Sequence, residues 1–251
     1  MLKGFLKHGY SPDALLTCAL VPIVKDPNGD ICSSKNYRAI AISSLILKIF
    51  DLCLLILFGS EMSSDPLQYG FAKGSSTVHC TWTVQEVISY FLRHGSDVYS
   101  CLLDFSKAFD KVNFLKLFEK LIERNIPCVI LRLLLYIYRR QKCCVRWNSQ
   151  NSEFFQVKNG VRQGAVVSPS LFCIYLDTLL SDLRKLGLGC HIGNTFVGAF
   201  GYADDVILIS PTRHSLQLML KTCEEFSHEH SMLFSTHNDP SKVRQSANIS
   251  H

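Results

Sequence analysis

Apolar positions follow two periods along this chain, and the switches between them outline its elements. Ala19 to Lys25 is a short apolar run closed by a Pro-Asn-Gly turn, the pattern of a strand. Ala39 to Phe58 is apolar almost throughout and predicts a buried helix. Thr77 to Arg93 places Val78, Trp82, Val84, Val87, Ile88 and Phe91 at helical spacing. Val98 to Phe105 has strand composition. Two helices are predicted over Phe114–Arg124 and Val129–Arg140, separated by Pro127, and two short strands around a polar turn follow from Lys142. Ser168 and Pro169 are a cap and a first-turn residue for a helix whose apolar face holds Leu171, Ile174, Tyr175, Leu179 and Leu183. Strands with turns at Gly193-Asn194 and Asp204-Asp205 come next. A last helix runs from about Ser215 to His230 with Leu216, Met219, Leu220, Cys223 and Phe226 on one side, and "MLFST" reads as a final strand. No repeat, low-complexity tract or linker interrupts the series. The fold class implied is α+β, helices packed on an antiparallel sheet with an N-terminal lobe.

Composition narrows this picture modestly. With 251 residues, 47% of them hydrophobic, the chain can bury a substantial core. A net charge of +5 is compatible with a polyanionic partner without arguing for one alone. The 11 cysteines are scattered, with no CxxC pair, so neither a disulfide framework nor a zinc site is indicated; reduced thiols in an intracellular protein are expected, in nucleus or cytoplasm. "HEH" at His228–His230 lacks the i,i+4 pair of a helical zinc site. Lys48 and Asp51 break the longest apolar stretch below the length of a membrane span, so no membrane association is expected. No obligate protein partner is evident.

Chemistry concentrates in carboxylates. Two apolar strands end in acid, "SCLLD" at Asp104 and "GYADD" at Asp204 and Asp205. Ionised carboxylates in an apolar frame are costly, and adjacent ones repel. If the strands run antiparallel side by side, the three acids meet, and divalent cations resolve the conflict with hard oxygen ligation. Two Mg²⁺ ions about 3.5–4 Å apart are the known arrangement for in-line phosphoryl transfer. Asp-Asp is also ordinary turn chemistry, so neither "ADD" nor "LLD" decides the matter alone.

Their joint context does. "CLLDFSKAFDKV", "NGVRQGAVVSPSLF" and "GYADDVILIS" stand in the order and at the approximate separations of reverse transcriptases, with "LVPIVKDPNGD", "NYRAIAISSLILKIFD" and "QYGFAKGSST" upstream. From about residue 15 to 243 the chain resembles the enzymes of non-LTR (LINE-type) retrotransposons. The resemblance implies a right-hand polymerase with fingers over about 1–97 and palm over about 98–245. It implies an RNA-directed DNA polymerase using an RNA template, a DNA primer and dNTPs, with two Mg²⁺ ions, or Mn²⁺ in their place. Asp104, Asp204, Asp205 and the Phe105 carbonyl match the metal ligands. Phe109 matches the aromatic under the nucleotide sugar that excludes a 2′-hydroxyl. Asp110 stands one place beyond it, near where RNA-dependent RNA polymerases carry an Asp, so that class is an alternative. Gln163 and Gly164 match the loop beside the incoming nucleotide, Arg38 the triphosphate grip, and Lys25 a weaker phosphate contact. Lys73 and Arg162 match contacts to template or primer backbone, and Lys242 the general acid toward pyrophosphate, although a solvated tail lysine fits there equally. No thumb is recognisable after Lys242 and no endonuclease precedes the domain, as in part of a longer polyprotein or an inactive truncated remnant that only binds nucleic acid.

Overall fold

The computed structural model describes residues 2–162 and 164–234. In chain order its elements are α1 (Leu2–His8), β1 (Thr17–Val24), β2 (Tyr37–Ile42), α2 (Leu45–Leu57), α3 (Thr77–Arg93), β3 (Tyr99–Asp104), α4 (Ala108–Lys111), α5 (Phe114–Glu123) and α6 (Cys128–Arg140). Then come β4 (Lys142–Trp147), β5 (Gln150–Asn151), β6 (Phe155–Gln156), α7 (Ser168–Lys185), β7 (His191–Ile192), β8 (Thr195–Phe196), β9 (Ala199–Tyr202), β10 (Asp205–Ser210) and α8 (Arg213–His230). The mixture of helices and mainly antiparallel strands is the α+β class expected. These elements form two compact units, Met1–Met62 with Asn113–Leu171, and Ser63–Val112 with Phe172–His251. Each is discontinuous in sequence.

The first unit holds a sheet ordered β2-β1-β4-β5, with β6 also on β4. β1 pairs antiparallel with β2 from Ala19↔Ile42 to Val24↔Tyr37 and parallel with β4 from Thr17↔Lys142 to Leu20↔Val145. Pro22 lies beyond the last β4 partner, so its missing N–H leaves no gap on that side. The run expected as one helix from Ala39 divides: its start completes β2, and α2 begins only at Leu45. Nor is α2 wholly buried. Leu47, Phe50, Asp51 and Leu54 face inward, whereas Leu45 and Ile56 are exposed. Asn113 caps α5 by accepting from Leu115 and Lys116 N–H at 2.9 and 3.4 Å, and Leu117, Phe118 and Leu121 form its buried stripe. α5 and α1 both pack on α6, whose Leu133, Leu134 and Ile137 are fully enclosed. The parallel register makes Cys18 and Cys143 partners with Cα atoms 4.8 Å apart, and they form a disulfide. This corrects the expectation of reduced thiols throughout. The physical reason is a parallel pairing of segments 125 residues apart, which local patterning does not encode.

The second unit is built on the antiparallel sheet β3-β10-β9. β10 has no polar alternation because both its faces are covered. Ile207 and Ile209 join Cys80, Val87, Cys190 and Phe200 in the cluster under α3. Val206 and Leu208 point the other way by the two-residue period, toward α8, which packs on β3 and β10. Burial there, and then the nearby Cys101, push the Cys223 thiol up to about 12. α8 inserts Met219, Cys223 and Phe226, as its pattern predicts. "MLFST" yields only an isolated bridge at Phe234, opposite Phe105; Ser235 and Thr236 lie outside the described residues. Among the described residues no helix is long and apolar enough to cross a membrane.

Candidate active site

β9 and β10 pair Tyr202 with Asp205, which leaves Ala203 and Asp204 as a two-residue turn. The turn therefore sits one residue earlier than expected, and Asp205 is the first residue of β10. On its other side Asp205 pairs with Asp104, the last residue of β3. Antiparallel pairing thus gathers the three acids at one end of the sheet. Phe105 N–H donates to the Asp204 carbonyl at 3.4 Å, which ties the strand end to the turn. Asp104 and Asp204 are half-buried and Asp205 is exposed. Although Asp205 is exposed by surface area, desolvation of its carboxyl at the strand end, then the charges of Asp204 and Asp104, hold it above the usual carboxylate range. Among the described residues no three His, Cys, Asp or Glu side chains already form a group able to hold a metal ion. In kind, however, three mutually repelling oxygen donors fit a hard divalent cation.

Aromatic rings fix the surroundings. Phe105 is buried and stacks on Phe234 with centroids 4.5 Å apart. Phe109, on the four-residue α4, stacks on Phe172 at 4.5 Å and 16° and meets the edge of Phe71 at 6.0 Å. Its ring is half-buried, held by its neighbours with part of its surface open. Lys73 is exposed in the loop before α3. One polar residue of this unit was missed by sequence reasoning: Gln68, 2% exposed, whose side chain bonds the backbone of the hairpin turn. Its only signal was a polar residue beside Gly70 in "QYGFAKG".

The remaining candidates belong to the first unit. Arg38 is exposed on β2, paired in register with Ile23. Lys25 is exposed just past β1, its Nζ donating to the Lys35 carbonyl at 3.1 Å. Gly164 has φ +83°, and a Cβ there would meet the Ala41 carbonyl oxygen, so the turn requires glycine. Arg162 needs correction. Its guanidinium donates to both Asp51 oxygens at 2.8 and 3.0 Å and lies 5.5 Å from the Tyr138 ring centre. At 6% exposure it ties its loop to α2 and is not presented to a polyanion. Gln163 and Lys242 lie outside the described residues.

Solved structures share this mixed α/β fold. Apo telomerase from Candida tropicalis, truncated from its C-terminal domain, superposes with a TM-score of 0.61 over 91% of this chain and 52% of that one, at 14% identity. Telomerase from the same organism in complex with a TWJ fragment of telomeric RNA gives 0.62 over 88% and 40%. Residues 24–238 match the family described as reverse transcriptase (RNA-dependent DNA polymerase), and the chain belongs to that family. Similar proteins are non-LTR retrotransposon products. The Pol polyprotein of element R2 from Nasonia vitripennis is 27% identical over 224 residues, 89% of this chain and 22% of that protein. The R2DM polyprotein of Drosophila melanogaster is 28% identical over 76% of this chain and 18% of that protein. The probable RNA-directed DNA polymerase from transposon X-element of Drosophila melanogaster is 28% identical over 77% and 21%. The chain spans about a fifth of the length of these curated relatives.

Proposed function

We propose that this chain carries the catalytic core of an RNA-directed DNA polymerase, extending a DNA primer on an RNA template with dNTPs. The observation that supports the reading is the register that sets Asp104 opposite Asp205 beside the turn residue Asp204, in a chain of the reverse transcriptase family. In the reaction the primer 3′-hydroxyl oxygen bonds to the α-phosphorus as pyrophosphate leaves. Mg²⁺ or Mn²⁺ held by Asp104, Asp204, Asp205 and the Phe105 carbonyl, with phosphate oxygens completing the shell, would supply hydroxyl activation and charge neutralisation. Phe109, held by Phe172 and Phe71, would lie under the nucleotide sugar and exclude a 2′-hydroxyl. The family resemblance assigns Arg38, whose guanidinium suits bidentate phosphate contact, to the triphosphate and Lys25 to a second phosphate contact. The family resemblance assigns Gln163 and Gly164 to the loop beside the nucleotide, Lys73 to a backbone phosphate and Lys242 to protonation of the leaving pyrophosphate.

Primer extension on an RNA template tests the reading. Asp104→Ala and Asp204→Ala should each reduce incorporation roughly a thousandfold or more. Undiminished extension by either variant sinks the carboxylate assignment. Salt-sensitive binding with no incorporation by the unaltered chain would fit a nucleic-acid-binding remnant instead.

A further inference from the structure

The geometry points to Gln68 as a positioning residue that sets the conformation of the Asp204-Asp205 turn. The inference rests on the polymerase reading above, since it concerns the same carboxylates. Ala203, the first turn residue, has φ +56°, a left-handed conformation that a residue with a Cβ disfavours. Something must hold it there. Ala203 N–H donates to Gln68 Oε1 at 2.9 Å, and Gln68 Nε2 donates back to the Ala203 carbonyl at 3.3 Å. One side-chain amide thus pairs both backbone groups of the strained residue, as a neighbouring strand would. Gly70 N–H also donates to Oε1, at 2.8 Å. Two N–H donors converging on one atom require oxygen there, which fixes the amide orientation.

The surrounding backbone is built for this contact. Gln68 bridges Gly201 in parallel register; Tyr69 N–H donates to the Gly201 carbonyl at 2.7 Å, and Gly201 N–H donates to the Leu67 carbonyl at 2.8 Å. The loop therefore bridges β9 at this one position, and the amide extends the pairing to the turn. Glycine at two positions makes room. A Cβ on Gly70 would strike the Ala203 nitrogen, and one on Gly201 would lie 2.8 Å from Gln68 Nε2. Gln68 itself is 2% exposed, so water does not replace a lost bond. With Ala203 fixed, the direction in which the next residue, Asp204, leaves the turn is fixed too. Gln68 touches no reacting atom; it acts through the hairpin.

The test compares the full chain with Gln68→Ala and Gln68→Met, the second retaining side-chain length without polarity. Three quantities are read: hydrogen exchange across Tyr202–Asp205, Mn²⁺ binding by paramagnetic resonance, and kcat against the dNTP KM in primer extension. In both variants exchange at the hairpin should accelerate about tenfold or more while the rest of the chain keeps its protection. Mn²⁺ affinity should fall, and kcat should drop by about a hundredfold with KM little changed. Unchanged hairpin exchange or unchanged Mn²⁺ affinity overturns the proposal. So does exchange rising uniformly along the chain with kcat per folded molecule unaltered, because the role would then be structural only. If the unaltered protein binds Mn²⁺ but extends no primer, the polymerase reading fails, while exchange and Mn²⁺ binding still decide on Gln68. If it binds no Mn²⁺, both fall together.

Discussion

Asp205 bears a charge that its surroundings resist. Desolvation of its carboxyl and the neighbouring Asp204 and Asp104 raise its pKa in the folded chain. A carboxyl raised in this way favours folding while protonated, and that contribution is lost as pH rises through the folded-state value. Above the ordinary carboxylate range, without divalent cations, this crowding therefore costs stability. Asp205→Asn should melt higher than the unaltered chain in chelator at pH 7. The gain is modest because the side chain is exposed: about 0.5 kcal/mol, or about 1–2 °C. It should vanish below the ordinary carboxylate range, about pH 4, where both proteins carry a neutral group. Thermal melts at the two pH values check this; a lower melting temperature for Asp205→Asn at pH 7 would mean that the acids are not crowded. Phe109 poses the complementary question of shape. Its ring stacks on Phe172 and meets the edge of Phe71, and it is proposed to exclude a 2′-hydroxyl. Phe109→Ala should lower the preference for dNTP over NTP by roughly 10–100-fold, about 1.4–2.7 kcal/mol. Competition between the two in one reaction measures it. A preference for NTP by the unaltered chain would place it with RNA-synthesising enzymes and remove the steric role of Phe109.

Between elements, the buried Asp51–Arg162 pair joins α2 to the loop before α7. Asp51 also accepts from Val166 N–H at 3.2 Å. Burial raises the Asp51 pKa against the opposing pull of Arg162, so desolvation outweighs attraction. Pairs of this kind contribute little net stability yet are costly to break. Asp51→Ala, which strands a buried guanidinium, should cost about 3–5 kcal/mol in urea unfolding. The double variant Asp51→Leu with Arg162→Met should cost clearly less than Asp51→Ala alone; an equal or larger loss would mean that packing, not charge, decides the site. The same pair marks where sequence reading stops. α3 was legible to the residue because Ser76 caps it and its apolar stripe is regular. β3 and β10 were legible as strands because each is a β-branched or leucine-rich run with an acid at one end, Asp104 closing β3 and Asp205 opening β10; the meeting of the acids followed once the strands were taken as antiparallel neighbours. Arg162 was not, since a lone arginine next to "QG" gives no sign that an aspartate 111 residues earlier will enclose it. The Cys18–Cys143 disulfide and the Gln68 contacts with Ala203 were hidden for the same reason: each depends on partners far apart in sequence. The division of the run from Ala39 into β2 and α2 was hidden because uninterrupted apolar residues carry no period.

For the molecule as a whole, the net charge of +5 sets a diffuse attraction to polyanions but does not say which cations touch them. Ionic strength separates the two. Each side chain that neutralises a phosphate releases a counterion, adding about 0.7–0.9 to the slope of log affinity against log salt. Lys73, exposed before α3, is proposed as such a contact. Lys73→Ala should weaken binding to an RNA–DNA hybrid at every salt concentration tested and reduce the slope by about that amount, with the melting temperature unmoved. Arg162→Ala removes the same formal charge, so a reading from net charge alone expects the same result. The enclosed ion pair with Asp51 predicts a different one: a lower melting temperature and, below it, an unchanged salt slope, because the guanidinium releases no counterion on binding. Fluorescence anisotropy across a salt series, beside melting curves for both variants, distinguishes the two outcomes. A smaller slope for Arg162→Ala with its melting temperature intact would return Arg162 to the nucleic-acid surface and undo the structural assignment of its ion pair.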